Sequence, residues 1–289
     1  MITRRDALRV IAGGAVSLSA GFIRPSNAAA ERDPGILDKP EELLTAFMRL
    51  SGSLDDRLII WWMEGLRYGV VDARAKLLFG MQIGMFHRFF RQADGSYKFA
   101  MFELTYYTDL ATGELLEEFE NPYTGETNRV SHVRLGPEVR HQTVHGLANP
   151  DNPMVHDYNS KLGPALIRGD DIWIPTDVEA RIVFPKPTAP EIILNLYTTV
   201  HGRLSDALNP ELVSAPATLA FQNILKWEPF MRMGDHAGHL MSRAAGRKLE
   251  SVDDLPGYYL DMAERKHAKF IADPIATLEP LTRNLSSSI

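Results

Sequence analysis

The chain has 289 residues, with 31 Lys and Arg against 37 Asp and Glu, a net charge of −6 and no cysteine. No run of basic residues exceeds two, so nucleic acid and anionic lipid are not expected as partners. The missing thiols exclude disulfides, thiolate metal sites and a cysteine nucleophile.

Arg4-Arg5 opens a mildly apolar run from Val10 to Ile23 that ends in Ala28-Ala29-Ala30. That order is expected of a twin-arginine export signal cleaved before Glu31, which places the mature chain in the periplasm or outside the cell. The run is 14 residues long, short of the roughly 20 a membrane-spanning helix needs. The leader holds four Arg and one Asp, so the remaining 259 residues carry about −9. No later stretch is apolar for 18 residues, so no transmembrane segment is expected. Residues 31–289 are expected as a single domain, long enough to bury its own core.

Residues 31–56 read as helix, with Leu43, Leu44, Phe47, Met48 and Leu50 at helical spacing and Glu41-Glu42 in a first turn. Strand composition follows at 58–71, 77–91, 97–107, 115–120, 128–135, 138–145, 172–184, 191–201 and 218–227, separated by turn residues. Residues 146–171 read as a long connection, 226–248 as a loop capping one end, and 252–270 as helix. The phrase Asp109-Leu-Ala-Thr-Gly113-Glu is echoed by Asn121-Pro-Tyr-Thr-Gly125-Glu. Asx at the first position and Gly at the last are turn chemistry, so the repeat predicts two hairpin turns in a meander. The fold class expected is mainly β with some helix (α+β). We expect a curved antiparallel meander sheet or β-barrel with N- and C-terminal helices packed on it, because closing so long a sheet removes its edges.

Several strands lack a clean apolar and a clean polar face. Trp61, Met63 and Arg67 alternate with Trp62, Glu64 and Tyr68; Met85 and His87 alternate with Phe86 and Arg88. One face must be core; the other fits a mostly apolar cavity for a hydrophobic small molecule. Candidate catalytic residues are His87, His201, Glu64 and Tyr107, with Glu103 a second isolated carboxylate. Histidine titrates near neutrality, burial raises a carboxyl, and a tyrosine can hold a phenolate. Candidate substrate-binding residues are Trp61, Trp62, Arg67, Tyr123, Tyr197, Met231, Arg232 and Met233. His236 and His239 lie close in sequence, yet no HExxH pattern exists and no metal is assigned. No GxSxG elbow and no Gly-rich phosphate loop are present, so neither a hydrolase triad nor a nucleotide cofactor is expected, and no cofactor is assigned. Exposed edges or leftover aromatic surface leave a homodimer open.

Tyr107, Asp109, Thr112-Gly113, Asn121 to Glu126, Met231, Met233-Gly234, Gly238 and Asp254-Leu255-Pro256 resemble the pattern of the DUF1838 family, bacterial exported proteins. The resemblance covers about residues 45–275. It implies an association with breakdown of lignin-derived aromatic dimers by lyases that need no cofactor. The expected function is therefore a cofactor-independent lyase or isomerase on a hydrophobic phenolic molecule. The alternative is a carrier for an apolar ligand.

Overall fold

The chain passes from helix to strand between Ser51 and Leu58 and then pairs with itself almost without interruption. The structure, a computed structural model, describes residues 35, 37–148, 154–183, 191–283 and 285. The expected export signal, residues 1–30, lies outside the described residues. Helix α1 (Pro40–Ser51) precedes strands β1 (Leu58–Val71), β2 (Arg74–Arg91), β3 (Tyr97–Thr108), β4 (Glu118–Glu120), β5 (Thr127–Arg129) and β6 (Val133–Thr143). Strands β7 (Gly146–Leu147), β8 (Val155–Leu162), β9 (Leu166–Arg168), β10 (Asp171–Ile182) and β11 (Ile192–Arg203) follow. Helix α2 (Leu204–Leu208), β12 (Thr218–Leu225), β13 (His239–Leu249) and helices α3 (Gly257–Ile271) and α4 (Pro274–Thr282) complete the order.

The main sheet is antiparallel and runs β7-β6-β3-β2-β1-β13-β12-β11-β10-β8, with β9 beside β10. It curls into a nearly closed barrel. Its two ends meet where β7 faces β8, and this joint has no strand ladder among the described residues. Instead the Leu147 N–H donates to Ser160 Oγ at 2.9 Å, the Tyr158 hydroxyl to the Leu147 carbonyl at 2.8 Å, and the Leu162 N–H to the His145 carbonyl at 3.2 Å. The order is two meanders joined at β1 and β13 rather than one. Strand β13 was expected as loop, and the region 146–171 holds three short strands where a plain connection was expected.

The repeated phrase does make two matching turns. Gly113 N–H bonds the Asp109 carbonyl at 2.9 Å, Gly125 N–H bonds the Asn121 carbonyl at 2.8 Å, and both glycines sit at φ +73°. Side chains at positive φ clash with their own backbone, which is why glycine stands there. The second turn joins β4 to β5 in a separate two-stranded sheet, so this stretch leaves the main meander that was expected to contain it.

The barrel has two cores. Inside, α1 closes one end: Leu44, Phe47, Met48 and Leu50 pack with Trp61, Phe89, Ile174 and Val200, and Trp61 Nε1 donates to the Ser51 carbonyl at 2.8 Å. Outside, α3 and α4 cover β1 to β3 through Tyr259, Met262, Phe270 and Leu278 against Ile60, Phe86, Phe102 and Tyr106. Burial on both faces of the same strands explains why their sequences do not alternate. No helix among the described residues is long and apolar enough to cross a membrane.

Candidate functional site

Strand alternation decides what enters the barrel. Odd positions of β1, β2 and β3 point inward, so Trp61, Met63, Ile83, Met85, His87, Phe99, Met101 and Glu103 share a cavity of about 200 Å³. The opposite wall supplies Arg140 and Gln142 of β6, Ser160 of β8, Thr176 of β10 and Thr198 of β11. The cavity is thus mainly apolar, with a few polar groups converging from six strands, and Ser160 and Leu147 place the unladdered joint on its wall.

His87 is 5 % exposed, stacks on Phe89 and meets Phe99 at a tilt, with ring centroids 5.6 and 5.7 Å away. Its Nδ1 has no hydrogen-bond partner among the described residues. Burial, assisted by the charge of Arg140, lowers its pKa to about 3, so the imidazole is neutral at ordinary pH. Burial has the opposite effect on Glu103, raising its pKa. The Thr105 hydroxyl donates to Glu103 Oε1 at 2.7 Å, and the charges of Arg140 and Arg67 act in the same direction, favouring the carboxylate. Arg140 itself is tied to Glu138 at 2.6 Å.

Toward the far end the interior becomes aromatic again. The Tyr107 hydroxyl donates to Glu228 Oε1 at 2.7 Å and accepts from Arg67 Nη2 at 3.1 Å. Burial raises the Tyr107 pKa far above that of free tyrosine, so the phenol stays protonated. Phe79 and Phe230 pack on it, and Phe119 packs edge-on against Phe79 to close this end. The stretch Pro229–Met231 forms a short 3-10 turn there. Asn121, fully buried, donates from Nδ2 to the Met231 carbonyl at 2.7 Å and to Met233 Sδ at 3.2 Å. The second copy of the turn phrase therefore anchors this cap.

The structure divides the candidate residues. His87, Trp61, Arg67 and Tyr107 face the interior; Met231 and Met233 are buried in the cap. Tyr123 packs on Trp227 and His236, at 5.2 and 5.5 Å, with its hydroxyl against Gly69. Arg232 is exposed at φ +51°. Glu64, Trp62, His201 and Tyr197 lie on the outer face and do not share the cavity. Glu64 accepts from Gln82 Nε2 at 2.9 Å, and Gln82 in turn accepts from Trp62 Nε1 at 3.2 Å. His201 stacks on Trp173 at 4.8 Å and meets Asp171 at 3.0 Å. Tyr197 is 37 % exposed. Arg140, Ser160, Thr176 and Thr198 escaped sequence reasoning, because barrel closure brings them in and no local pattern marks them. Among the described residues no group of three His, Cys, Asp or Glu is placed to hold a metal ion.

No curated protein and no solved structure matches this chain. A family model described as "Protein of unknown function (DUF1838)" matches residues 55–160 and 194–287, most of the barrel. The chain belongs to the DUF1838 family.

Proposed function

We propose that the protein is an enzyme working without a cofactor, a lyase or isomerase that moves a proton on a small phenolic molecule held inside the barrel. The observation that supports this best is Glu103: a carboxyl with a raised pKa, in an apolar cavity, beside an uncharged imidazole. Such a carboxyl suits general acid–base work near neutral pH. In this reading Glu103 takes the proton from a substrate hydroxyl and returns it to the product. Arg140 and Thr198 hold the oxygen, and His87 positions the ring. A 150 Å³ apolar cavity takes benzene, so about 200 Å³ suits one substituted ring. A two-ring, lignin-derived compound would extend toward the β7–β8 joint. The enzyme would be exported by its twin-arginine leader and act in the periplasm or outside the cell.

The depressed pKa of His87 favours a second reading, since a histidine that resists protonation is a weak base. On that reading the barrel carries an apolar ligand and changes nothing. A turnover screen of metal-stripped protein against one-ring phenols and aryl ethers separates the two. Turnover abolished by Glu103→Gln supports the enzyme. Binding of a ring compound with no turnover, unchanged by Glu103→Gln, supports the carrier.

A further inference from the structure

Three polar side chains form a row across neighbouring strands on the interior face. Arg67 of β1 stands opposite Ser242 of β13, and Ser242 opposite Asn223 of β12. They are 3, 0 and 7 % exposed. Arg67 spends Nη2 on the Tyr107 hydroxyl, with Glu228 at 3.5 Å. Its Nε and Nη1, Ser242 Oγ and Asn223 Oδ1 make no hydrogen bond among the described residues. The row adjoins the cavity lining on the same face. Asn223 stands opposite Leu196 and two residues from Phe221 on the same face, and both line the cavity wall. The Arg67 charge is also felt by Glu103.

Buried polar atoms without partners are rare in native proteins, and each is unfavourable. This set mixes donors on Arg67 with an acceptor on Asn223, and the Ser242 hydroxyl serves as either. A carboxylate would suit Arg67 but set its lone pairs against Asn223 Oδ1. A bare ring would satisfy none of them. A hydroxyl oxygen can accept from Arg67 and donate to Asn223 or Ser242, so it alone matches both the donors and the acceptors of the row. We propose that the Arg67–Ser242–Asn223 row is a hydroxyl-recognition subsite, and that the ligand is a ring compound bearing an alcohol on a short side chain. The ring lies in the cavity and the alcohol points into the row. The proposal rests on the cavity's taking a ring, and a bound water would offer the same oxygen chemistry.

Calorimetric titration of the full chain with benzyl alcohol and with toluene tests it. A subsite makes the alcohol bind at least about tenfold tighter than the hydrocarbon. That preference collapses in Asn223→Leu and in Ser242→Ala, two changes that remove unpaired polar atoms and are expected to fold. Unfolding midpoints of both variants verify this. Equal affinities, or a preference that both variants keep, overturn the subsite and assign the row to water alone. Toluene binding without alcohol binding overturns it while the ring-binding cavity stands. Failure of both compounds to bind removes the cavity reading and the subsite together. Absence of turnover with the preference intact sinks only the catalytic reading.

Discussion

His87 and Glu103 are diagonal neighbours across the β2–β3 ladder, His87 pairing with Met101 and Glu103 with Met85 on the same interior face. Arg140 is their shared electrostatic neighbour, and its charge lowers the pKa of both. For His87 this adds to burial; for Glu103 it opposes burial. One cation thus reinforces the burial that keeps the imidazole neutral while restraining the rise of the carboxyl.

Glu103 sets the first prediction. If its carboxylate is the base, kcat/KM rises with pH through a midpoint above the usual carboxyl value, because burial raises its pKa. Arg140→Gln removes a charge that favours the carboxylate, so this acidic limb moves to higher pH. Glu103→Gln lowers kcat by about 10²- to 10⁴-fold, with ring binding retained. Profiles of kcat/KM against pH for the three proteins check this, and an unmoved limb in Arg140→Gln would exclude the pairing.

His87 sets the acid stability. Its folded pKa of about 3 lies below the unfolded value of 6.5. Between these values the unfolded chain binds more protons, so stability is present above pH 6.5 and is lost as pH falls toward 3. The loss is on the order of a few kcal/mol. His87→Phe preserves the stacked ring without the titrating group. Urea unfolding at pH 4.5 and 7 should show a smaller pH difference for the variant than for the parent.

Local chemistry was legible in the sequence, and long-range closure was not. The Asp109 and Asn121 turns were readable because Asx and Gly act within five residues. Strands β1 to β3 were readable from their aromatic and branched residues, but not their inward face, since α3 and α4 bury the other one. Strand β13 escaped because small residues stand where strands approach closely: a Cβ at Gly246 would overlap the Trp62 carbonyl, and one at Gly65 the Arg243 carbonyl. Its Ser242, Ala244 and Gly246 therefore lack strand character. Strand β8, with His156, Asp157, Asn159 and Lys161, is polar and half exposed and so reads as loop. Glu64 and His201 stood in strands as promising as those of Glu103 and His87. Only the register turned one pair outward and the other inward.

Lys248 gives the opposite end of the pH range. Its Nζ donates to the Arg49 and Gly52 carbonyls at 2.9 and 3.1 Å, tying β13 to the end of α1. Burial lowers its pKa to about 7 from 10.5. The unfolded chain then binds more protons between pH 7 and 10.5, so this residue makes stability rise with pH across that window. Lys248→Met removes that slope. Comparing the change in unfolding free energy from pH 7 to pH 9 in both proteins checks the sign, since other groups titrate alike in each.

Gly84 tests how the C-terminal helices sit. It faces outward from β2, and a Cβ there would overlap the Tyr259 hydroxyl, which donates to the Leu104 carbonyl at 3.0 Å. Gly84→Ala must displace a fully buried side chain of α3, so it should destabilise by about 1–3 kcal/mol. A denaturant midpoint equal to the parent's would mean that α3 is not seated there.

Val178 tests the cavity itself. It lies on β10, opposite Leu196 of β11 and Ser160 of β8, and all three line the cavity. A phenylalanine at this position projects a ring into the space of about 200 Å³ that the ligand would take. It adds apolar surface where the wall is only partly packed, so the expected cost to folding is below about 1.5 kcal/mol. Ring binding, by contrast, should fall by at least about tenfold, because ligand and side chain compete for the same volume. Titration with a one-ring phenol, run beside an unfolding curve, separates these effects. Val178→Phe protein that is stable and still binds the phenol with parental affinity would place the ligand somewhere other than the barrel interior, and the roles argued for Glu103 and His87 would fall with it.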